Sequence, residues 1–168
     1  MEAGDAMILG MAYLTFVHVA ISLVAIVLGT LAVARMIHPG RLTRVTTFFL
    51  AFTIATTGTG FLLPSAGITP AFATGIVSSV ALIVALYALY GRRLAGIWRG
   101  VYVAAVVFAF YLNVVALVAQ AFQKIRTLNA FAPTGSEPPF LIAQGVVVLG
   151  FLYLGWRALA RFDPVRRA

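Results

Sequence analysis

From Val45 to Tyr90 the chain runs 46 residues without an Asp, Glu, Lys or Arg, with Arg35, Arg41 and Arg44 just before the run and Arg92, Arg93 and Arg99 just after it. A membrane-spanning helix needs about 20 predominantly apolar residues to cross roughly 30 Å of hydrocarbon, and inside that layer every backbone polar group must be satisfied internally. The run therefore reads as two crossings, hinged at Leu63-Pro64-Ser65-Ala66-Gly67-Ile68-Thr69-Pro70, with both outer ends on one side.

The same criterion applied along the whole chain gives five spans: about Met7 to Ala34, Val45 to Leu63, Ala71 to Tyr90, Gly100 to Gln123 and Phe140 to Trp156. The acidic flank of the first run (Glu2, Asp5) and its length set it apart from a signal peptide. With 62% hydrophobic and 10% charged residues in 168 positions, the expectation is one transmembrane domain over 1–168, an all-α bundle of five helices. The long connection, 124–139, holds Pro133, Gly135, Pro138 and Pro139; the others are short.

Lys and Arg are distributed ten to two between the two sides. Arg35, Arg41, Arg44, Arg92, Arg93, Arg99, Arg157, Arg161, Arg166 and Arg167 stand on one, Lys124 and Arg126 on the other. Positive charge is retained in the cytoplasm, so the N-terminus is expected outside and the C-terminus inside. Tyr87, Tyr90, Trp98, Tyr102, Tyr153 and Trp156 fall near the same inner boundary, where an amphipathic ring is at home among headgroups. A net charge of +8 carried in this way points to anionic lipid headgroups rather than nucleic acid. Arg35, Arg41, Arg44, Arg92, Arg93 and Arg99 are the expected lipid contacts.

Small and polar residues at helical spacing mark the faces that meet other helices. They are Thr15, His18, Ser22, Ala25 and Gly29 in the first span, Thr53, Thr56, Thr57 and Gly60 in the second, and Thr74 and Ser78 in the third. Asn113, Ala116, Gln120 and Lys124 continue the pattern in the fourth, and Gln144 in the fifth. Membrane-embedded His, Asn and Gln are costly, which makes His18, Asn113, Gln120 and Gln144 the candidate ligand-binding cluster, in the middle or outer half of the bilayer. The alternative role for each is a hydrogen bond between helices. Above them, Lys124, Arg126 and Glu137 mark an outer segment expected to roof the bundle, with Glu137 pairing to Lys124 or Arg126.

Catalytic motifs are missing from the sequence, and its acids are Glu2, Asp5, Glu137 and Asp163 alone. There is no cysteine, and haem is disfavoured because His38 and His18 lie at opposite faces. No cofactor and no metal are expected. Gly58-Thr59-Gly60-Phe61-Leu62-Leu63-Pro64, Tyr111-Leu112-Asn113-Val114, Gln120-Ala121-Phe122-Gln123-Lys124 and Ala132-Pro133-Thr134-Gly135-Ser136-Glu137-Pro138-Pro139-Phe140 resemble an uncharacterised family of small bacterial inner-membrane proteins. The resemblance implies a bacterial, multi-pass, inner-membrane protein and brings no activity with it. The residues themselves lead to a non-catalytic subunit or interaction partner of a larger membrane assembly, with a membrane-protein partner or a homo-oligomer. The alternatives are an outer-leaflet binding protein for a hydrophobic small molecule such as a quinone or lipid, and a small transporter.

Overall fold

The computed structural model describes residues 7–8, 11–38, 44–63 and 69–163, so that Arg41 and the 64–68 part of the hinge lie outside it. In chain order the helices are α1 (Tyr13–Ile37), α2 (Arg44–Leu62), α3 (Pro70–Leu86), α4 (Trp98–Lys124), the short α5 (Arg126–Phe131) and α6 (Pro138–Arg161). A π-helical turn, Tyr87–Gly91, prolongs α3. Five of these helices, all but α5, are long and apolar enough to cross a membrane.

The first span differs from expectation at both ends: α1 begins at Tyr13, not Met7, and continues to Ile37. Before it, β1 (Met7–Ile8) and β2 (Met11–Ala12) pair antiparallel, Met7 opposite Ala12 and Ile8 opposite Met11. Hydropathy does not distinguish an apolar strand pair from a helix, and Gly10, among the poorest helix formers, interrupts the run. Other boundaries follow from local chemistry. Thr69 caps α3 by accepting the Phe72 amide at 3.2 Å, and Pro70 follows with its φ already helical. Ile125 is extended, which ends α4 and separates α5 from it.

The densest packing lies toward the arginine-bearing end. Ala32, Val33 and Met36 of α1, Phe49 and Leu50 of α2, Ala85 of α3, Tyr102 and Val106 of α4 and Ala158 of α6 are all buried there. Helix α4 is central: it packs on α1, α3 and α6 and touches α2, whereas α6 meets only α4 and α1 extensively. Phe110 joins three neighbours at once. Its ring lies 5.9 Å from Phe49 of α2 and 5.0 Å from Phe151 of α6, both edge-on. It also faces Gly29 of α1 so closely that a Cβ there would stand 2.5 Å from a ring carbon. Tyr102, expected among headgroups, is instead fully buried and packs against Phe162 at 6.0 Å. An aromatic one turn inside a helix start follows the face its helix turns inward, which proximity to the boundary does not reveal.

Replacing Gly29 by Ala should destabilise the bundle by about 1–3 kcal/mol, the usual result of overpacking a dense interior. Phe110 cannot swing aside while held by Phe49 and Phe151. Thermal unfolding in detergent should show the loss and its partial recovery in Gly29→Ala/Phe110→Leu. A Gly29→Ala protein as stable as the parent would mean that this close approach is not needed.

Candidate functional site

The intramembrane polar residues join the helices in pairs. His18 Nδ1 and the Thr59 hydroxyl lie 2.9 Å apart across α1 and α2, and the His18 ring covers Gly60, where a Cβ would come within 3.3 Å of it. Asn113 donates from Nδ2 to the Thr53 hydroxyl at 3.3 Å, tying α4 to α2. Gln144 donates from Nε2 to the Val115 carbonyl at 3.3 Å, tying α6 to α4. Thr57 and Ser78 share a hydrogen bond of 3.2 Å between α2 and α3. Three of these four links end on the Thr53 to Thr59 stretch of α2.

His18, Asn113, Gln120 and Gln144 therefore do not share hydrogen-bond partners. Thr53 and Thr59 are six residues apart on one helix, about 9 Å of axial rise, so the Asn113 and His18 pairs sit at different depths. Gln120 lies seven residues beyond Asn113, about 10 Å further along α4, and is exposed. Asn113 and Gln144 are half-buried, and so is His18. Helical spacing placed these residues on polar faces correctly in part, but the outer turns of α4, including Ala116, Gln120 and Lys124, face outward. That face has no packed neighbour because the helices are dense only at the opposite end.

Other hydroxyls are satisfied within their own helices. Ser22 donates to the His18 carbonyl at 2.7 Å, Thr74 to Pro70 at 2.8 Å and Ser79 to Gly75 at 2.9 Å. Among the described residues the Thr46, Thr56 and Tyr102 hydroxyls, Gln144 Oε1 and Arg157 Nε are buried without a hydrogen-bond partner. No group of three or more His, Cys, Asp or Glu able to hold a metal ion occurs among the described residues.

The outer segment is also organised differently from expectation. Glu137 binds its own turn: one carboxylate oxygen accepts the Thr134 amide at 3.0 Å and hydroxyl at 2.9 Å, the other the Ser136 amide at 3.1 Å. It makes no ion pair with Lys124 or Arg126 among the described residues. A carboxylate just before a helix start is better served by nearby N–H and O–H donors than by exposed, flexible cations. Helix α5 packs against α4, with no substantial contact to α1, α2 or α3, so it does not roof the bundle. Phe122 and Phe140 close the base of the segment edge-on at 5.4 Å.

At the arginine-bearing end, Arg35, Arg44, Arg92, Arg93 and Arg99 are exposed. Arg92 lies over the Trp98 ring at 5.3 Å, and Tyr87 meets the same ring edge-on at 5.1 Å. Arg93 and Leu94 both adopt left-handed backbone, φ 49° and 59°, in the turn between α3 and α4. Sequence reasoning passed over one arrangement at this end: Arg157 Nη1 donates to the Tyr153 hydroxyl at 2.9 Å, one turn back on α6. The spacing of four residues was the available signal.

Two outcomes follow. If the polar residues act as separate pairs, His18→Ala and Asn113→Ala should each cost about 0.6–1.7 kcal/mol, and their coupling in a double-mutant cycle should stay below about 0.5 kcal/mol. A larger coupling would restore the single cluster. At Glu137, partial desolvation pushes the carboxyl up, but hydrogen bonds from the Thr134 backbone and hydroxyl, from its own backbone and from that of Ser136 hold it below its ordinary value. The order this lends the turn is complete above the unfolded glutamate value, about 4.3, and is lost as pH falls through the lower folded one. Amide exchange at Thr134 and Ser136 should lose protection in that acid window and become insensitive to it in Glu137→Gln; unchanged protection would contradict the assignment.

No family model, curated protein or solved structure matches the chain.

Proposed function

We propose that this chain is a non-catalytic membrane protein that serves as a subunit or lateral interaction partner in a larger assembly, with α6 as the side offered to a neighbour. The observation that carries the reading is the position of α6. Not one residue in its most apolar stretch is buried, and among the described residues it packs extensively only on α4 and α1. Leu141, Ile142, Val146, Leu149 and Leu152 point outward, and a Cβ added at Gly145 or Gly150 would meet nothing within 4 Å. Open glycines on a helix surface permit the close backbone approach on which helix association in lipid depends. The pairwise polar links support the same reading, since they use the costly intramembrane side chains to hold the scaffold together.

The arginine asymmetry orients the chain with its N-terminus outside and its C-terminus in the cytoplasm of a bacterial inner membrane, where the exposed arginines meet anionic headgroups. A second reading draws on a lateral groove of about 320 Å³ between α2 and α3, lined by Ile54, Thr57, Gly58, Phe61, Ser79 and Ile83. A hydrophobic small molecule, a quinone or a lipid, would enter there rather than among His18, Asn113, Gln120 and Gln144.

The chain has no cysteine, so single cysteines report cleanly. Ala130→Cys in α5 should react with an impermeant thiol reagent from outside intact cells, and Ala95→Cys should not; the reverse would invert the orientation. Val146→Cys on α6 should crosslink to a stoichiometric protein in native membranes, a partner or a second copy, while Ile83→Cys in the α2/α3 groove should not. Crosslinking absent from α6, with a small apolar molecule co-purifying instead, would replace the first reading by the second.

A further inference from the structure

A second groove, of about 300 Å³, lies between α1 and α6 at the arginine-bearing end, with Phe110 of α4 at its base. Its two ends differ in chemistry. Thr30, Val33, Ala34 and Leu154 line it deeper in the bundle, a mostly apolar wall, and by helical rise His38 and Arg157 stand nearer the chain's arginine-bearing end. Arg157 is held in place: Nη1 donates to the Tyr153 hydroxyl at 2.9 Å, and the guanidinium carbon stands 5.8 Å from the Tyr153 ring centre. Its Nε is buried and has no hydrogen-bond partner among the described residues.

The Arg157 side chain, whose buried Nε–H has no acceptor and is costly for that reason, also lines this groove, which is large enough for a ligand group. A guanidinium presents a planar fork of donors matched to phosphate oxygens, and Tyr153 occupies only one side of it. From Arg157, near the end of the last apolar helix, the groove continues along the apolar side chains of Val33, Ala34 and Leu154. We infer that the α1/α6 groove is a binding site for an anionic phospholipid, its phosphodiester on Arg157 beside His38 and one acyl chain along the Val33, Ala34 and Leu154 wall. The occupant has to be amphiphilic, because a soluble phosphate would leave that wall unfilled. The site lies at the arginine-bearing end of α6, beyond the Leu141 to Leu152 stretch offered to a neighbour, so its failure leaves the proposed subunit role standing.

Native mass spectrometry of the full chain in detergent, with added dioleoyl phosphatidylglycerol or phosphatidylcholine, tests this. The parent should retain phosphatidylglycerol preferentially, and Arg157→Gln should weaken that retention about tenfold, as expected for losing a hydrogen bond to a charged group. Arg161→Gln, which removes an exposed charge one turn away, should leave it within about twofold. Ala34→Phe should displace the lipid while Arg157 remains intact, which guards against a folding defect in the arginine variant. Arg157→Gln binding phosphatidylglycerol as the parent does, or Arg161→Gln weakening it equally, would overturn the site in favour of diffuse charge attraction. Inorganic phosphate displacing the lipid at equal concentration would overturn the lipid in favour of a soluble anion.

Discussion

Phe110 is the contact on which the arrangement of the helices depends. It sits midway along α4, meets α2 through Phe49 and α6 through Phe151, and lies against α1 at a position where only glycine leaves room. In lipid, helices gain little by hiding apolar surface from water, because the surrounding chains are as apolar as their own side chains. Association has to come from close van der Waals fit and from a few hydrogen bonds. A large ring fitted against a bare stretch of backbone supplies the first, and it draws α1 and α6 to the same helix. The α1/α6 groove, with Phe110 as its base, is what remains where these two helices diverge.

Hydrogen bonds supply the second contribution, and α2 carries most of them. Thr53, Thr57 and Thr59 reach α4, α3 and α1 respectively. Each such link is modest, about 0.6 kcal/mol on average where measured in a membrane. Their spacing along α2 sets the axial register of three neighbours. This division explains why the half away from the arginines carries polar links and little dense core, while the half near them is packed with Ala, Val and aromatic side chains. His18, Asn113 and Gln144, expected to share one ligand site, each bond a different partner across a helix boundary, and Gln120 is exposed.

The arginine-bearing end combines rigid packing with exposed charge. Tyr87, edge-on, and Arg92 both pack on Trp98 beside the left-handed turn at Arg93 and Leu94. Arg157 and Tyr153 form a comparable pair on α6. Aromatic rings fix the position of these cations at that end of the bundle. The opposite end uses a self-contained turn in which Glu137 accepts from Thr134 and Ser136, so its charge is spent locally.

The sequence by itself determined the helical class and the number of candidate spans, because hydrocarbon admits one solution for an isolated apolar run, and apolar length can be counted along a single strand of text. It also placed His18, Ser22, Ala25 and Gly29 on one inward stripe of α1, since 3.6 residues per turn is a local property. What it could not decide was which stripe meets which. Gln120 belongs to a polar face by spacing yet stands exposed, Tyr102 lies near a boundary yet is buried, and Glu137 takes Thr134 in preference to Lys124. The pairing of His18 with Thr59 and of Asn113 with Thr53, and the groove beside Arg157, exist only once helix tilt and register are set. Those are fixed by the sum of many weak contacts between residues far apart in the chain, and only the tertiary structure contains that sum.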